Sequence, residues 1–383
     1  MFLALRDLRF ATGRFALMGS VVALISLLLV MLSGLTAGLG GQNTAAIDRL
    51  GEQGVQRLVF GGAAGQEPTA SFTQSEFTVA QRDAWAATDG VASVEPLGVS
   101  QGRAIGLEHP VDTDPQGRAD VSGEPTTGVA TTAFIGLTPG GSDAPAGVEP
   151  GQIVLSQDVA DSLHAQEGDA VAVSGFVYTV ADVVPTEYYS HSPVTWLALE
   201  DWNAISHTAD DAVLGTAGLV RFDAGADVDA VAAAGDDAAG TVAETVKGSY
   251  AALPSYRSEN GSLMTMQGFL YGISALVVIA FLSIWTVQRT RDIAVLKALG
   301  GSNGWVLKDS LAQAAFVLVG GVAVGTGLAA AIGAFAGRAV PFELSWATTA
   351  VPAAGVLVLG MLAAVVAVFR VTRIDPLVAL GGN

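Results

Sequence analysis

Four stretches of this chain carry no charged residue at all: Phe15–Leu39, Leu263–Val287, Leu311–Gly337 and Ala347–Phe369. Crossing a bilayer as a helix takes about 20 consecutive apolar residues. Inside hydrocarbon every backbone N–H and C=O must be satisfied within the segment, so runs of this kind adopt helices. Gly and Ala recur in all four runs, and small residues let membrane helices approach closely. Buried helices of a soluble protein would not account for a mean hydropathy of +0.49 with only 14% charged residues.

Charge divides the chain. Residues 41–260 hold 31 Asp and Glu against 8 Lys and Arg, a balance of −23, while the remainder is net positive by 5. Arg6, Arg9 and Arg14 precede the first run. Arg289, Arg291, Lys297 and Lys308 separate the second from the third, and Arg370 and Arg373 follow the fourth. By the positive-inside rule both termini and the middle connector face the cytoplasm of a plasma membrane. Arg338 is the exception, in a short loop. The expected class is a membrane protein: four transmembrane α-helices with a large extracytoplasmic α+β domain between the first and second.

The segments follow from this. Residues 1–14 read as a cytoplasmic interfacial amphipathic helix, with Phe2, Leu5 and Leu8 on one face and Arg6 and Arg9 on the other. Spans occupy 15–39, 263–287, 311–337 and 347–369. The extracytoplasmic domain with its stalk is 40–262, and residues 338–346 form an external loop. The cytoplasmic connector is 288–310 and the tail 370–383. The first run exceeds the ~7–15-residue core of a signal peptide, so it reads as a retained anchor. The chain has no cysteine, so its domain must hold together by its own core.

Within that domain, Gln42–Arg57 can extend the first span outward as a stalk. Strands are expected at Val55–Phe60, at Gly90–Leu97 after a turn, and at Gly128–Leu137, Gly151–Leu155, Val194–Leu199 and Ala217–Phe222. Gly168–Ser174 and Phe176–Val184 read as a hairpin turning at Gly175. Helices are expected at Thr78–Thr88, Gln157–Ala165, Asp227–Ala234 and Gly240–Gly248. His109–Pro125 is acidic and turn-prone.

The connector holds the densest chemical pattern. Thr290 can cap a helix, while Asp292 in its first turn and Lys297 near its end complement the helix dipole. Ile293 and Leu296 share a face, and Gly300–Gly301 supply a stop. Such a helix can seat in a groove on a partner, or it can lie on the membrane and only set topology; the pattern leaves both open. No GxxxxGK[ST] phosphate loop occurs in the chain, so any ATP hydrolysis belongs to a separate polypeptide.

The four histidines, His109, His164, His191 and His207, lack metal-ligand spacing and read as scattered surface residues. Tyr188-Tyr189-Ser190-His191 is an aromatic cluster expected to pack on the domain. No nucleophile–base pattern is visible. The acidic domain would repel nucleic-acid phosphates, which excludes that class of partner.

Three segments carry a family resemblance. They are Leu5-Arg6-Asp7-Leu8-Arg9, the run Arg291-Asp292-Ile293-Ala294-Val295-Leu296-Lys297-Ala298-Leu299-Gly300, and Arg373-Ile374-Asp375-Pro376-Leu377-Val378-Ala379-Leu380. With the layout of one span, a large domain and three clustered spans, they resemble the FtsX/MacB-type permeases of ATP-binding cassette systems. Gly90–Leu97 and Gly168–Val184 are weaker matches. Asp292 stands where the family more often has Glu, which preserves the charge.

The resemblance implies an efflux permease without an ATPase site of its own. Two copies of an ABC ATPase would carry ATP and Mg, docked through Arg291, Asp292, Ile293, Leu296 and Lys297. It also implies a second copy of the chain, with Gly34, Gly38, Gly268 and Gly272 allowing close packing. The compact domain resembles the haem-efflux branch (HrtB type), making haem the leading cargo. Lipoprotein or antimicrobial-peptide export, and regulation of a cell-wall hydrolase without transport, stay open. Side chains expected to touch such a cargo are Glu76 between Phe72 and Phe77, Tyr256, Met264, Met266 and Tyr271 near the outer end of the second span, and Met31 in the first. Tyr, Met and carboxylate groups can ligate haem iron. The chain itself is expected to hold no resident cofactor or metal.

Overall fold

The computed structural model describes residues 12–63, 65–206, 212–288 and 303–372. They fall into two compact units, Gly40–Glu259 and the remainder. The first helix, α1 (Thr12–Glu52), is continuous for 41 residues. At 1.5 Å per residue that is about 60 Å, roughly twice a hydrocarbon core. Its second part belongs to the Gly40–Glu259 domain, the stalk expected from Gln42 onward.

The domain then runs β1 (Arg57–Phe60), β2 (Phe77–Thr78), α2 (Val79–Ala86), β3 (Val91–Leu107), β4 (Thr126–Leu137), β5 (Gln152–Ser156) and α3 (Gln157–Leu163). It continues with β6 (Ala170–Val173), β7 (Phe176–Val184), β8 (Tyr188–Tyr189), β9 (Ser192–Ala198) and α4 (Leu199–Ile205). It ends with β10 (Val213–Gly215), β11 (Ala217–Phe222), α5 (Val228–Ala239), β12 (Val242–Thr245) and a 3-10 turn at Gly248–Ala252.

Strand β3 organises this domain because it belongs to two sheets. Its first half pairs antiparallel with β11, from Val91↔Phe222 to Leu97↔Ala217. That half completes the order β12-β1-β11-β3. Its second half pairs with β4, from Gly98↔Gly136 onward, and again with β6 through Ala104↔Val173. The β3–β6 pairing closes β3-β4-β9-β5-β7-β6 into a barrel, which removes the free edges of an open sheet.

Helices α2 and α5 cover the four-stranded sheet around Phe77, Trp85, Val220 and Phe222. Thr78 and Gln81 cap α2 reciprocally, which satisfies two otherwise orphaned donors. Trp85 donates its indole N–H to Thr241 at 2.9 Å, and Thr241 in turn donates to Asp236 at 2.7 Å. On the barrel, the cross-strand pair Gly98 and Gly136 forms the seat for Trp202 of α4. A Cβ on either glycine would collide with its ring. The Trp202 indole N–H reaches Ser100 Oγ at 3.0 Å.

One local expectation fails. Gly240–Gly248, read as a helix, holds β12, which pairs with β1 through Val242↔Phe60 and Glu244↔Leu58. Gly240 ends α5 in the left-handed conformation at φ 62°. Beyond it, Thr241, Val242 and Thr245 are β-branched and suit a strand.

The second unit contains the first part of α1 together with α6 (Pro254–Gln288) from Asn260 onward, α7 (Asn303–Ala336) and α8 (Trp346–Thr372). Among the described residues, four helices are long and apolar enough to cross a membrane. Their shared core joins Met18, Val22 and Leu29 of α1, Val278 and Leu282 of α6, Leu318 and Val322 of α7, and Val356 and Ala364 of α8. Gly325 of α7 lies so close to the Ala23 carbonyl and Ser26 of α1 that no side chain fits between them.

Candidate functional site

The four-helix unit holds an apolar groove of about 660 Å³. Leu28, Met31, Leu32 and Leu35 of α1 recur at helical spacing and supply one wall. Met266, Phe269 and Leu270 of α6 supply another, and Ala336, Val340 and Phe342 close the end. Its lining is almost entirely carbon and thioether sulfur. Such a surface can hold a hydrophobic body and offers no hydrogen-bonding partner for a charged group. The volume lies within the ~300–1,000 Å³ range of ligand pockets.

Phe342 comes from the loop between α7 and α8 and is held in place by glycines. Its ring lies against Gly34 of α1 and Gly333 of α7, where a Cβ would overlap it, and the Pro341 backbone covers Gly38. The Glu343 N–H donates to the Gly34 carbonyl at 3.0 Å. Gly34 and Gly38, expected to serve contact with a second copy, are therefore occupied from within the chain. Gly268 and Gly272 of α6 have open space where a Cβ would sit.

The residues named from sequence separate. Met31 and Met266 line the groove. Met264 is exposed, with its sulfur 3.9 Å from Asn260 Nδ2. Tyr271 packs on the helix core, its ring 2.8 Å from where a Gly355 Cβ would be. Tyr256 and Glu76 belong to the other unit. Tyr256 meets Tyr250 edge-on with ring centroids 5.4 Å apart. Glu76 is exposed, whereas Phe72 and Phe77 turn inward into two different cores. The rings therefore do not flank its carboxylate. Phe269 and Phe342 escaped sequence reasoning: an apolar residue in an apolar run has no distinguishing chemistry, and a loop residue's partners are set at long range.

Arg291, Asp292, Ile293, Leu296 and Lys297 lie outside the described residues, as do Leu5–Arg9, His207 and Arg373–Leu380. Among the described residues no cluster of three or more His, Cys, Asp or Glu could hold a metal ion. His191, one of the histidines read as scattered surface residues, is half-exposed and lies 2.9 Å from Glu259. Tyr189 is buried, as the packing reading expects.

In the Gly40–Glu259 domain several carboxyls hold their protons more tightly than usual, chiefly through burial. Glu95 is raised further by Asp143, against the pull of Arg221. Glu187 is raised although Arg49 stands 3.6 Å away. Asp201 and Asp236 are raised despite the backbone N–H groups of Gly151 and Ala243 that they accept from. A hydrogen bond to Asp158 is the main reason the Tyr188 hydroxyl is pushed up to about 12.

Among the described residues, four apolar helices with a large α+β domain inserted after the first are in keeping with a membrane permease. Residues 264–376, which take in nearly all of the last three spans, match the family described as FtsX-like permease C-terminal. Over its whole length the chain is similar to the hemin transport system permease protein HrtB of Staphylococcus epidermidis, with 21% identity over 385 residues and 100% of both chains covered. A 130-residue stretch is 29% identical to HrtB of Staphylococcus haemolyticus, covering 34% of this chain and 37% of that one. Among solved structures, the extracellular domain of the noncanonic ABC-type transporter YknZ from Gram-positive bacteria aligns at 14% identity and TM-score 0.31, covering 48% of this chain and 95% of that one. The periplasmic region of MacB from Actinobacillus actinomycetemcomitans aligns at 10% identity and TM-score 0.33, covering 50% and 89%.

Proposed function

We propose that this chain is the permease subunit of an ABC-type efflux system. It couples ATP hydrolysis on a partner subunit to export of a hydrophobic or amphipathic compound, with haem the leading candidate. Two ABC ATPase copies carry ATP and Mg and dock through the segment with Arg291, Asp292, Ile293, Leu296 and Lys297. Both termini face the cytoplasm and the Gly40–Glu259 domain lies outside, in keeping with the distribution of Lys and Arg. A second copy packs on the open Gly268–Gly272 face of α6.

The observation that carries this reading is the groove. It could accept the apolar ring of a planar cargo while leaving charged edges outside, and Met31 and Met266 are soft ligands of the kind iron accepts. Haem itself enters through the name carried by the staphylococcal relatives, hemin transport permease.

The test is a haemin titration of the purified full-length chain, followed by the Soret band. A saturable shift is expected for the wild type and its loss for Met31→Ala with Met266→Ala. Glu76→Ala and Tyr256→Phe, which do not line the groove, serve as comparison. A shift that survives the double methionine variant removes the groove as the haem site. Coupling is tested separately: Ile293→Asp or Leu296→Asp is expected to abolish stimulation of the partner's ATPase.

A further inference from the structure

The hairpin of β8 and β9 turns through only two residues, with Tyr188↔Pro193 and Tyr189↔Ser192 paired on either side. Those two residues, Ser190 and His191, have φ of 49° and 62°. A two-residue turn with both centres at positive φ favours Asn and Gly, and other residues there are held under backbone strain. Glycine would be the unstrained choice, so the retained side chains need a reason.

Both side chains are engaged. The backbone N–H groups of Ser190 and His191 donate to the carbonyls of Asn43 and Gln42 on α1, at 3.0 and 2.9 Å. Ser190 Oγ lies 2.8 Å from Ser255 Oγ at the start of α6, and Ser255 donates to Asn43 Oδ1 at 2.7 Å. His191 Nε2 lies 3.0 and 2.9 Å from the two Glu259 oxygens. Asn43 Nδ2 lies 3.0 Å from the same nitrogen; a carboxylate can only accept, so in the His191–Glu259 contact Nε2 is the donor. Asn43 Nδ2 then has Glu259 Oε2 as its acceptor, at 3.2 Å. On the far side Gln101 of β3 donates to Ser192 Oγ at 3.0 Å. One strained turn thus joins the helix that enters the domain to the helix that leaves it.

We propose that Ser190 and His191 form a releasable clasp between α1 and α6, opening without unfolding of the domain. The Ser190, His191, Ser255 and Glu259 side chains are polar and half-exposed, whereas Asn43 on α1 and Tyr189, one residue earlier, are buried. Contacts of the first kind open locally at low free energy and those of the second do not. The clasp belongs to the Gly40–Glu259 domain alone and holds whether or not the chain exports anything.

Hydrogen exchange on the full-length chain in nanodiscs tests it, reading the Ser190 and His191 amides against those of β4. His191→Gly relieves the strained backbone but deletes the imidazole. If the clasp operates, exchange at these two amides rises about tenfold, the order expected for losing a hydrogen bond to a charged partner, while β4 stays protected. Glu259→Ala gives the same rise, and the two changes together give no more than either alone. Unchanged or slower exchange in His191→Gly would mean that the turn only closes a hairpin. Loss of protection in β4 as well would mean that these contacts are part of the cooperative fold. Either result overturns the proposal.

Discussion

The two units meet the problem of apolar surface in opposite ways. The Gly40–Glu259 domain buries its largest side chains completely, with Trp85 at 0% and Trp196 at 1% exposure. It does so within one chain, by running a single long strand through both a layered sheet and a closed barrel. The helical unit leaves large side chains outward, with Phe269 at 69% and Leu276 at 68% exposure on α6. In water that would be a liability; against lipid or a second copy it is the appropriate surface. The acidic residues are concentrated in the domain and nearly absent from the helices, so the chemistry of the two surfaces agrees with the difference in packing.

The comparison can be broken most severely in the domain core. Trp85→Ala removes an indole packed against Gly235 and a hydrogen bond to Thr241, and is expected to cost about 3–5 kcal/mol. Denaturant unfolding of the full chain, followed by the far-ultraviolet signal of the sheet, should show it. A loss below 1 kcal/mol would mean that the core is not closed as described.

The next effect falls in the helical unit. Phe342→Ala empties the seat between Gly34 and Gly333 and is expected to lower the melting temperature in detergent, by an amount corresponding to roughly 2–4 kcal/mol. The same variant opens the end of the groove. No change in melting would show that the loop is not anchored there.

A smaller and different effect is expected at Gly268 and Gly272. Replacing both with Leu should weaken self-association, measured by cross-linking in membranes, and leave folding intact because nothing among the described residues lies within 4 Å of a Cβ there. Undiminished cross-linking would assign the second copy to another face.

The mildest expectation concerns pH. A carboxyl whose pKa is raised in the folded chain favours folding most when protonated. Glu95, Glu187, Asp201 and Asp236 therefore add stability that is complete below about pH 4 and is lost as pH rises through their folded values. Self-repulsion within the acidic domain acts in the same direction. The domain transition should shift up by a few degrees, about 2–4 °C, between pH 8 and pH 5.5. A downward shift would contradict these assignments.

Much of the fold is legible in local pattern. Charge-free runs mark the spans, Gly175 marks the β6–β7 turn, and Thr78 marks the start of α2. Gly240–Gly248 shows where local pattern fails: its Ala and Glu suit a helix, but Val242–Thr245 lies beside β1 and pairs with it. The strand at Gly90–Leu97 was visible as a short element. Its continuation to Leu107 was not, because Gly98, Gly102 and Gly106 interrupt the apolar alternation, and only β4, β6 and Trp202 explain them.

The site divides similarly. Met31 and Met266, singled out in the sequence as soft side chains, line the groove. Phe342, set against Gly34 and Gly333, could not be read from a loop sequence. Nor could the separation of Glu76 from its neighbouring rings, since Phe72 and Phe77 turn into different cores.

By itself the sequence determined the number of spans, the place of the inserted domain and the charge of each part. Hydropathy and charge act over a few residues and need no distant partner to be read. The tertiary structure alone decided that β3 and β6 close a barrel, that Phe342 seats between two glycines, and that His191 reaches Glu259. Each of these joins residues far apart in the chain, and such contacts depend on which surfaces are left to meet once the local elements have formed.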